Sequence, residues 1–325
     1  MKSNTILVVG GAGYIGSHVN RALLDMGYKT VTFDNLSSGT KENIFSDTKF
    51  VKGDLLNKQD LQNVLKDKFD AIIHLASFKA AGESMIEPEK YSENNIIGAI
   101  NLFNATSKAG IKNIIFSSSA AVYGDPEYLP IDEKHPTRPV NYYGFTKLEI
   151  ERILKWYDKL KNIKYVSLRY FNAVGYDIKG KVQGIEKNPA NLLPIVMEVA
   201  VGKRKELEIY GNDYDTVDGT GVRDYIHVND LADAHVLALE YIFNTEKSLT
   251  VNLASEKGLS VQQILDSARK ISNKTIPSKI VGRRPGDPAK LVASSGQAQK
   301  ILGWKVKHSD LENIIKTTWD VYKNL

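Results

Sequence analysis

The sequence predicts an α/β fold, a doubly wound parallel sheet with a smaller C-terminal α/β region, and two observations carry that prediction. Short β-branched runs alternate with helical patterns through the first half of the chain, and those runs are almost continuously apolar, as strands covered on both faces must be. Alternation of this kind winds with right-handed crossovers. After about Asn172 the alternation gives way to a mixed pattern, which marks the start of the second region.

Thr5–Val9, Thr30–Phe33, Lys49–Lys52, Ala71–Leu75, Asn113–Ser118 and Lys164–Leu168 read as the strands. Ile15–Met26, Gln59–Leu65, Pro88–Lys108 and Tyr143–Leu160 read as helices, and the last sets Leu148, Ile150, Ile153, Leu154 and Tyr157 along a helical stripe. Gly175–Asn188, rich in glycine and charge, reads as a surface loop. Leu192–Val201 reads as a helix and Gly211–Gly221 as a long polar loop. The expected division is residues 1–172 and 173–325, with some later segments returning to the first domain.

Composition narrows the class. With 42% hydrophobic and 25% charged residues in 325, the chain is an ordinary globular protein. No apolar run approaches the roughly 18 residues of a membrane-spanning helix. Gly10-Gly11-Ala12-Gly13 interrupts the first apolar run, so the start after Met1-Lys2-Ser3-Asn4 reads as a strand, not a signal peptide; a cytoplasmic protein is expected. The absence of cysteine removes disulfides and thiolate metal sites. Six histidines without ligand spacing predict no metal. The net charge of +5 is spread along the chain, whereas nucleic-acid binding wants a concentrated basic face. Arg283-Arg284, the richest local basic group, suits a diphosphate.

Gly10-Gly11-Ala12-Gly13-Tyr14-Ile15-Gly16 follows the first strand and opens the first helix. That context gives a tight turn, backbone close to a pyrophosphate and a positive helix end facing the anion, the Rossmann-like dinucleotide arrangement. Asp34 ends the second strand, where a carboxylate can bind a ribose 2′-hydroxyl and would repel a 2′-phosphate, favouring NAD over NADP. Gly53-Asp54-Leu55 and His74-Leu75-Ala76-Ser77 end the next two strands at the same ligand edge. Asp54 reads as an adenine contact, with a helix cap as its rival; Lys79 reads as a cofactor ligand or a solvated lysine.

Ser117-Ser118-Ser119 ends the fifth strand, and Tyr143-Gly-Phe-Thr-Lys147 opens the helix before the sixth. Four residues apart, Tyr143 and Lys147 share one helical face. An ammonium beside a phenol favours the phenolate, which can take a hydroxyl proton while hydride leaves the same carbon. Ser119 would hydrogen-bond the substrate oxygen. Tyr157 and Lys161 repeat the spacing late in the helix, away from the ligand edge, and are assigned to packing. Tyr142 faces about 100° away from Tyr143 and does not share its role.

With these features in this order the chain resembles the extended short-chain dehydrogenase/reductase family and, within it, the UDP-glucose 4-epimerase branch almost end to end. The matching segments include Gly10–His18, Asp34-Asn35-Leu36, Lys79–Ser84, Phe116–Asp125, Arg169–Asn172, Asn191–Pro194, Val199–Lys203, Tyr210–Tyr214 and Arg223–His227. The resemblance implies an isomerase that inverts C4 of a UDP-hexose through a 4-keto sugar and keeps NAD bound throughout. It implies NAD on Tyr14, Ile15, Asp34, Asn35, Asp54, Leu55, Lys79 and Asn94, beside Gly10, Gly13, Gly16 and Ala76, with Tyr143 and Lys147 near the nicotinamide and Phe171 packed against it. Asn172, Asn191, Leu192, Arg223, Arg284 and Asp287 would hold UDP. A homodimer packed through Pro88–Lys108 and Tyr143–Leu160 is implied as well.

Departures from the family pattern bear on specificity. Ser77 stands where many members have glycine, and Tyr142 replaces a frequent proline. Leu291 falls at a position where a bulky tyrosine excludes N-acetylated sugars; leucine is smaller and implies some tolerance of UDP-N-acetylglucosamine. A nucleotide-sugar 4,6-dehydratase on the same scaffold would place an Asp-Glu pair after the strand-end hydroxyl, where this chain has Ala120-Ala121. A 4-epimerase of UDP-uronic acids would want an extra cation, and a non-enzymatic NAD sensor could dispense with the Tyr/Lys pair.

Overall fold

The computed structural model describes residues 4–186, 189–284 and 287–325. Each strand expected in the first half is present, within two residues at its ends: β1 (Thr5–Val9), β2 (Lys29–Asp34), β3 (Lys49–Lys52), β4 (Ala71–His74), β5 (Asn113–Ser119) and β6 (Lys164–Tyr170). The second half supplies β7 (Asn172–Val174), β8 (Leu207–Tyr210), β9 (Val222–His227), β10 (Leu249–Leu253), β11 (Gly258–Ser260), β12 (Ser278–Val281) and β13 (Lys290–Leu291). Seven strands pair in parallel in the order β10-β6-β5-β4-β1-β2-β3. Consecutive side chains of one strand enter opposite layers. Ile6 and Val8 pack with Val19 and Leu239 on one side, while Leu7 and Val9 pack with Leu102 and Ile150 on the other.

The helices are α1 (Tyr14–Asp25), α2 (Lys58–Val64), α3 (Ala81–Ser84), α4 (Pro88–Tyr91), α5 (Gly98–Lys108), α6 (Tyr142–Lys161), α7 (Leu192–Ala200), α8 (Val228–Thr245), α9 (Val261–Ser272) and α10 (Leu311–Tyr322). Residues of α8 join the core around α1, and β10 extends the main sheet beside β6, so part of the second half returns to the first layer system. The chain leaves the main sheet after Tyr170 and starts a second one at Asn172, where β7, β11 and β13 pair with β9. Leu193, Met197, Tyr225, Ile264 and Ile315 centre its core. Among the described residues no helix is long and apolar enough to cross a membrane.

Two expectations change. Pro88–Lys108 is not one regular helix, because a π-helical segment, Ser92–Ile97, lies between α4 and α5. There the Asn95 side chain bonds both backbone groups of Phe78, at 2.9 and 3.0 Å, and Asn94 Nδ2 donates to the Lys90 carbonyl at 2.9 Å. The segment read as a surface loop from Gly175 is held inward instead: Tyr176 and Val182 are buried, and Tyr14 donates from its hydroxyl to the Gly175 carbonyl. Asn188, the expected end of that loop, and Met1–Ser3 lie outside the described residues.

Candidate active site

The carboxyl ends of β1, β2, β3 and β4 open onto one crevice. Gly10, Gly13, Tyr14, Ile15, Gly16, Asp34, Asn35, Asp54, Leu55, Ala76, Lys79 and Asn94 line it, so twelve residues chosen from the sequence meet there. Phe33, Ser37, Ser38, Phe78, Tyr170 and Glu186 line it too and were not anticipated. Ser37 and Ser38 continue the Asp34-Asn35-Leu36 strand end, a signal that was available. Glu186 had none, since its ion pair with Lys79 joins distant parts of the chain.

The crevice fits a dinucleotide. Gly10 has φ +81°, and its carbonyl accepts the Gly13 N–H at 3.2 Å. The first turn of α1 has no side-chain cap and no acidic residue, which leaves its N–H groups and positive end for an anion. Asp34 accepts from the Ala12 and Leu36 N–H groups at 3.0 and 2.8 Å. Burial raises its pKa and those two donors oppose the rise. Each carboxylate oxygen keeps capacity for a ribose hydroxyl. Asp54 accepts from Asn35 Nδ2 and the Leu56 N–H, both at 2.8 Å.

Ser119, at the end of β5, lies beside the start of α6. The Asn141 side chain accepts from the Gly144 N–H at 2.8 Å and caps that helix, and the Tyr143 N–H donates to Ser84 Oγ at 3.0 Å. Lys147 is 2% exposed; its Nζ donates to the Ser117 carbonyl at 2.8 Å and lies 5.8 Å from the centre of the Tyr143 ring. The expectation that Lys147 favours the phenolate is therefore not met by the chain alone. Burial pushes the Tyr143 phenol up, and the Ser119 hydroxyl pulls it back down. Burial also draws Lys147 down to about 7, opposed by Glu151. Tyr170 connects this pair to the crevice, for it lines the crevice, bonds Ser117 through its hydroxyl and feels the charge of Tyr143.

Of the pair assigned to packing, Tyr157 packs and Lys161 is exposed. Tyr157 donates to Asn104 at 2.8 Å and packs on Phe103. Tyr142 turns away to bond Ser92 at 2.6 Å.

Of the remaining candidates, Asn172, Arg223 and Leu291 lie on the second sheet, and Asp287 pairs with Arg223 beside it. Arg223 and Leu291 are register partners of β9 and β13. Arg223 Nη2 pairs with Asp287 at 2.6 Å, and Nη1 donates to the Val222 carbonyl at 2.8 Å. The Arg284 guanidinium lies 3.8 Å from the centre of the Tyr210 ring. Asn172 Nδ2 donates to the Asp224 carbonyl at 3.0 Å. Asn191 precedes Leu192 at the start of α7 without capping it through its side chain. Phe171 does not wall the crevice; it packs with Leu291 against Val122, Tyr123, Ile131, Leu148, Ala254 and Ala293. No cluster of potential metal ligands occurs among the described residues.

Comparison with known proteins agrees with this geometry. A UDP-glucose 4-epimerase of Lacticaseibacillus casei is 45% identical over 321 residues, 98% of this chain and 97% of its own. The crystal structure of UDP-glucose 4-epimerase from Brucella ovis in complex with NAD superposes with a TM-score of 0.96 at 42% identity, covering 98% of each chain. That of the Bifidobacterium longum UDP-glucose 4-epimerase in complex with NAD+ and UDP gives 0.93 at 38%, again over 98% of each. The sequence pattern of the NAD dependent epimerase/dehydratase family matches residues 6–254, and the chain belongs to that family.

Proposed function

We propose that this chain is a cytoplasmic, homodimeric isomerase that inverts C4 of UDP-hexoses with tightly bound NAD. The observation that carries the reading is the meeting of Ser119, Tyr143 and Lys147 at the sheet edge that also forms the dinucleotide crevice. Gly10, Gly13 and Gly16 would receive the pyrophosphate, Asp34 and Asn35 the adenosine ribose, and Asp54 and Leu55 the adenine. Tyr14, Ile15, Ala76, Lys79 and Asn94 complete that wall. Bound there, NAD supplies the acceptor and donor of hydride at the sugar carbon.

The chain's own residues do the rest. Tyr143 takes the proton of the C4 hydroxyl and gives it back, a general base and then a general acid at one oxygen. Ser119 lowers the barrier to ionising that phenol and orients the sugar oxygen, and Lys147 would add its positive charge beside the phenolate once NAD is bound. Arg223 and Arg284, from different segments, hold the diphosphate, while Asn172, Asn191, Leu192 and Asp287 hold the nucleoside. The flat keto sugar turns while its diphosphate stays fixed. A dehydratase reading is disfavoured because Ala120 and Ala121, which follow Ser119 in a tight turn, offer no acid–base group. Exposed Ile97, Trp156 and Leu160 support pairing of two copies through the 88–108 and 142–161 segments.

Incubating purified protein with UDP-galactose should yield UDP-glucose, and denaturation should release NAD. Loss of the C6 oxygen in the product would point to the dehydratase instead. Leu291, partly buried beside the cluster of Tyr123 and Leu148, would leave room for an N-acetyl group and make UDP-N-acetylgalactosamine a second substrate. In Leu291→Tyr its turnover should fall by roughly ten-fold or more, with UDP-galactose changed by no more than about three-fold. Equal turnover of the N-acetylated substrate by both proteins would remove Leu291 from the size gate.

A further inference from the structure

Behind Tyr143 and Lys147 lies a buried polar unit that the epimerase reading leaves unused. Glu151 stands one helical turn beyond Lys147 on α6, so Tyr143, Lys147 and Glu151 follow one another along a single face. Its side chain is 1% exposed. One carboxylate oxygen accepts from the Ser118 hydroxyl at 2.5 Å and from Arg169 Nε at 2.8 Å, and the other pairs with Arg169 Nη2 at 2.5 Å. Arg169 Nη1 donates to the Tyr123 hydroxyl at 2.9 Å, and that hydroxyl donates to Asn252 at 2.6 Å.

This unit touches the site through three consecutive serines of β5. The Ser117 carbonyl holds the Lys147 amine, the Ser118 hydroxyl donates to Glu151, and Ser119 faces Tyr143. A buried ion pair is weak grounds for a purely stabilising role, because desolvation offsets most of the attraction. Lys147, by contrast, gains directly from the carboxylate. It sits between the rings of Phe116 and Tyr143, where burial draws the amine down to about 7 and Glu151 works against that.

The other groups around Lys147 do not replace Glu151. His74, on β4, is held neutral by burial and by Lys147 itself, with its pKa down to about 3. From β6 come Arg169, a cation, and Tyr170, whose phenol is pushed up by burial. On α6 itself stands Tyr143, also pushed up.

We propose that Glu151, gripped by Arg169 and Ser118, is a positioning residue: its carboxylate keeps the Lys147 amine an ammonium and, through Ser118, fixes the strand end that presents Ser119 to Tyr143. The proposal rests on the epimerase reading. Removing the anion favours the neutral amine, so the cation is lost at lower pH and the alkaline limb of the rate profile moves toward acid. Arg169, left without its partner, pushes the same way.

The test measures kcat and KM for UDP-galactose against pH in the NAD-loaded protein. In Glu151→Gln the alkaline limb should move by roughly one pH unit, a factor of about ten in kcat along that limb, with KM and NAD content within about two-fold. Glu151→Asp, which keeps the charge but retracts it by one methylene, should move the limb part of the way in the same direction. A melting temperature that falls while the profile stays in place overturns the proposal and leaves Glu151 a structural residue. Should the glutamine variant fail to fold, an unmoved limb in the aspartate variant overturns it equally. Tyr143→Phe, run alongside, separates the two readings: an active phenylalanine variant sinks the epimerase mechanism itself, whereas an inactive one with an unmoved Glu151→Gln profile sinks only the role of Glu151.

Discussion

Tyr143→Phe should turn over UDP-galactose about 10³-fold more slowly than the unaltered chain, in the range expected for loss of a general acid–base group. The substitution removes one oxygen and keeps the ring. Most of what surrounds Tyr143 should survive, because the Tyr143 N–H still donates to Ser84 and Lys147 still donates to the Ser117 carbonyl. The crevice residues that would hold NAD lie on other elements. NAD content after denaturation and the affinity for UDP should therefore match the unaltered chain. The loss should appear in kcat with little change in KM, the signature of an interaction made in the transition state. Activity within ten-fold of normal would place the proton carrier elsewhere.

Much of this arrangement could be read from local sequence because the fold concentrates its ligand groups at strand ends. β1 is apolar from Ile6 to Val9 since both faces are covered, and a strand that stops at a glycine turn announces where a crevice begins. Asp34, Asp54, Ala76 and Ser119 all follow from that rule. The rest depends on contacts between distant segments. Nothing in the composition around residue 186 says that its carboxylate meets Lys79 across the crevice. Gly175 onward reads as solvent-facing because glycines and charges outnumber Tyr176 and Val182, yet those two are the anchors. The π-helical turn at Ser92–Ile97 leaves no apolar signature either; it shows only in what Asn94 and Asn95 bond. Leu291 and Arg223 become neighbours through strand pairing, which periodicity could not show.

A change at Gly16 should have the second large effect, acting on the cofactor rather than the proton. The Cβ of an alanine there would fall 2.1 Å from the Gly10 carbonyl oxygen and 2.8 Å from Gly11 Cα. Both obstacles are backbone, so no side chain can swing aside. Gly10 cannot retreat, because it occupies φ +81° with a backbone amide, that of Ala76, only 2.6 Å from where its own Cβ would be. The turn must open, and α1 must tilt away from β1 and carry its N-terminal N–H groups off the phosphate position. Gly16→Ala should thus be purified with less than about a tenth of the normal NAD, a loss of roughly 1.4 kcal/mol or more in binding. Its intrinsic stability should drop by about 3 kcal/mol, the upper range for overpacking, read as a lower denaturation midpoint at unchanged slope. Gly82→Ala is the matched control: an added Cβ meets nothing within 4 Å, and NAD content and midpoint should stay put. If Gly16→Ala instead keeps its NAD, the close packing of helix on turn is not what holds the dinucleotide, and the anchoring must come from Asp34 and the strand ends beyond it.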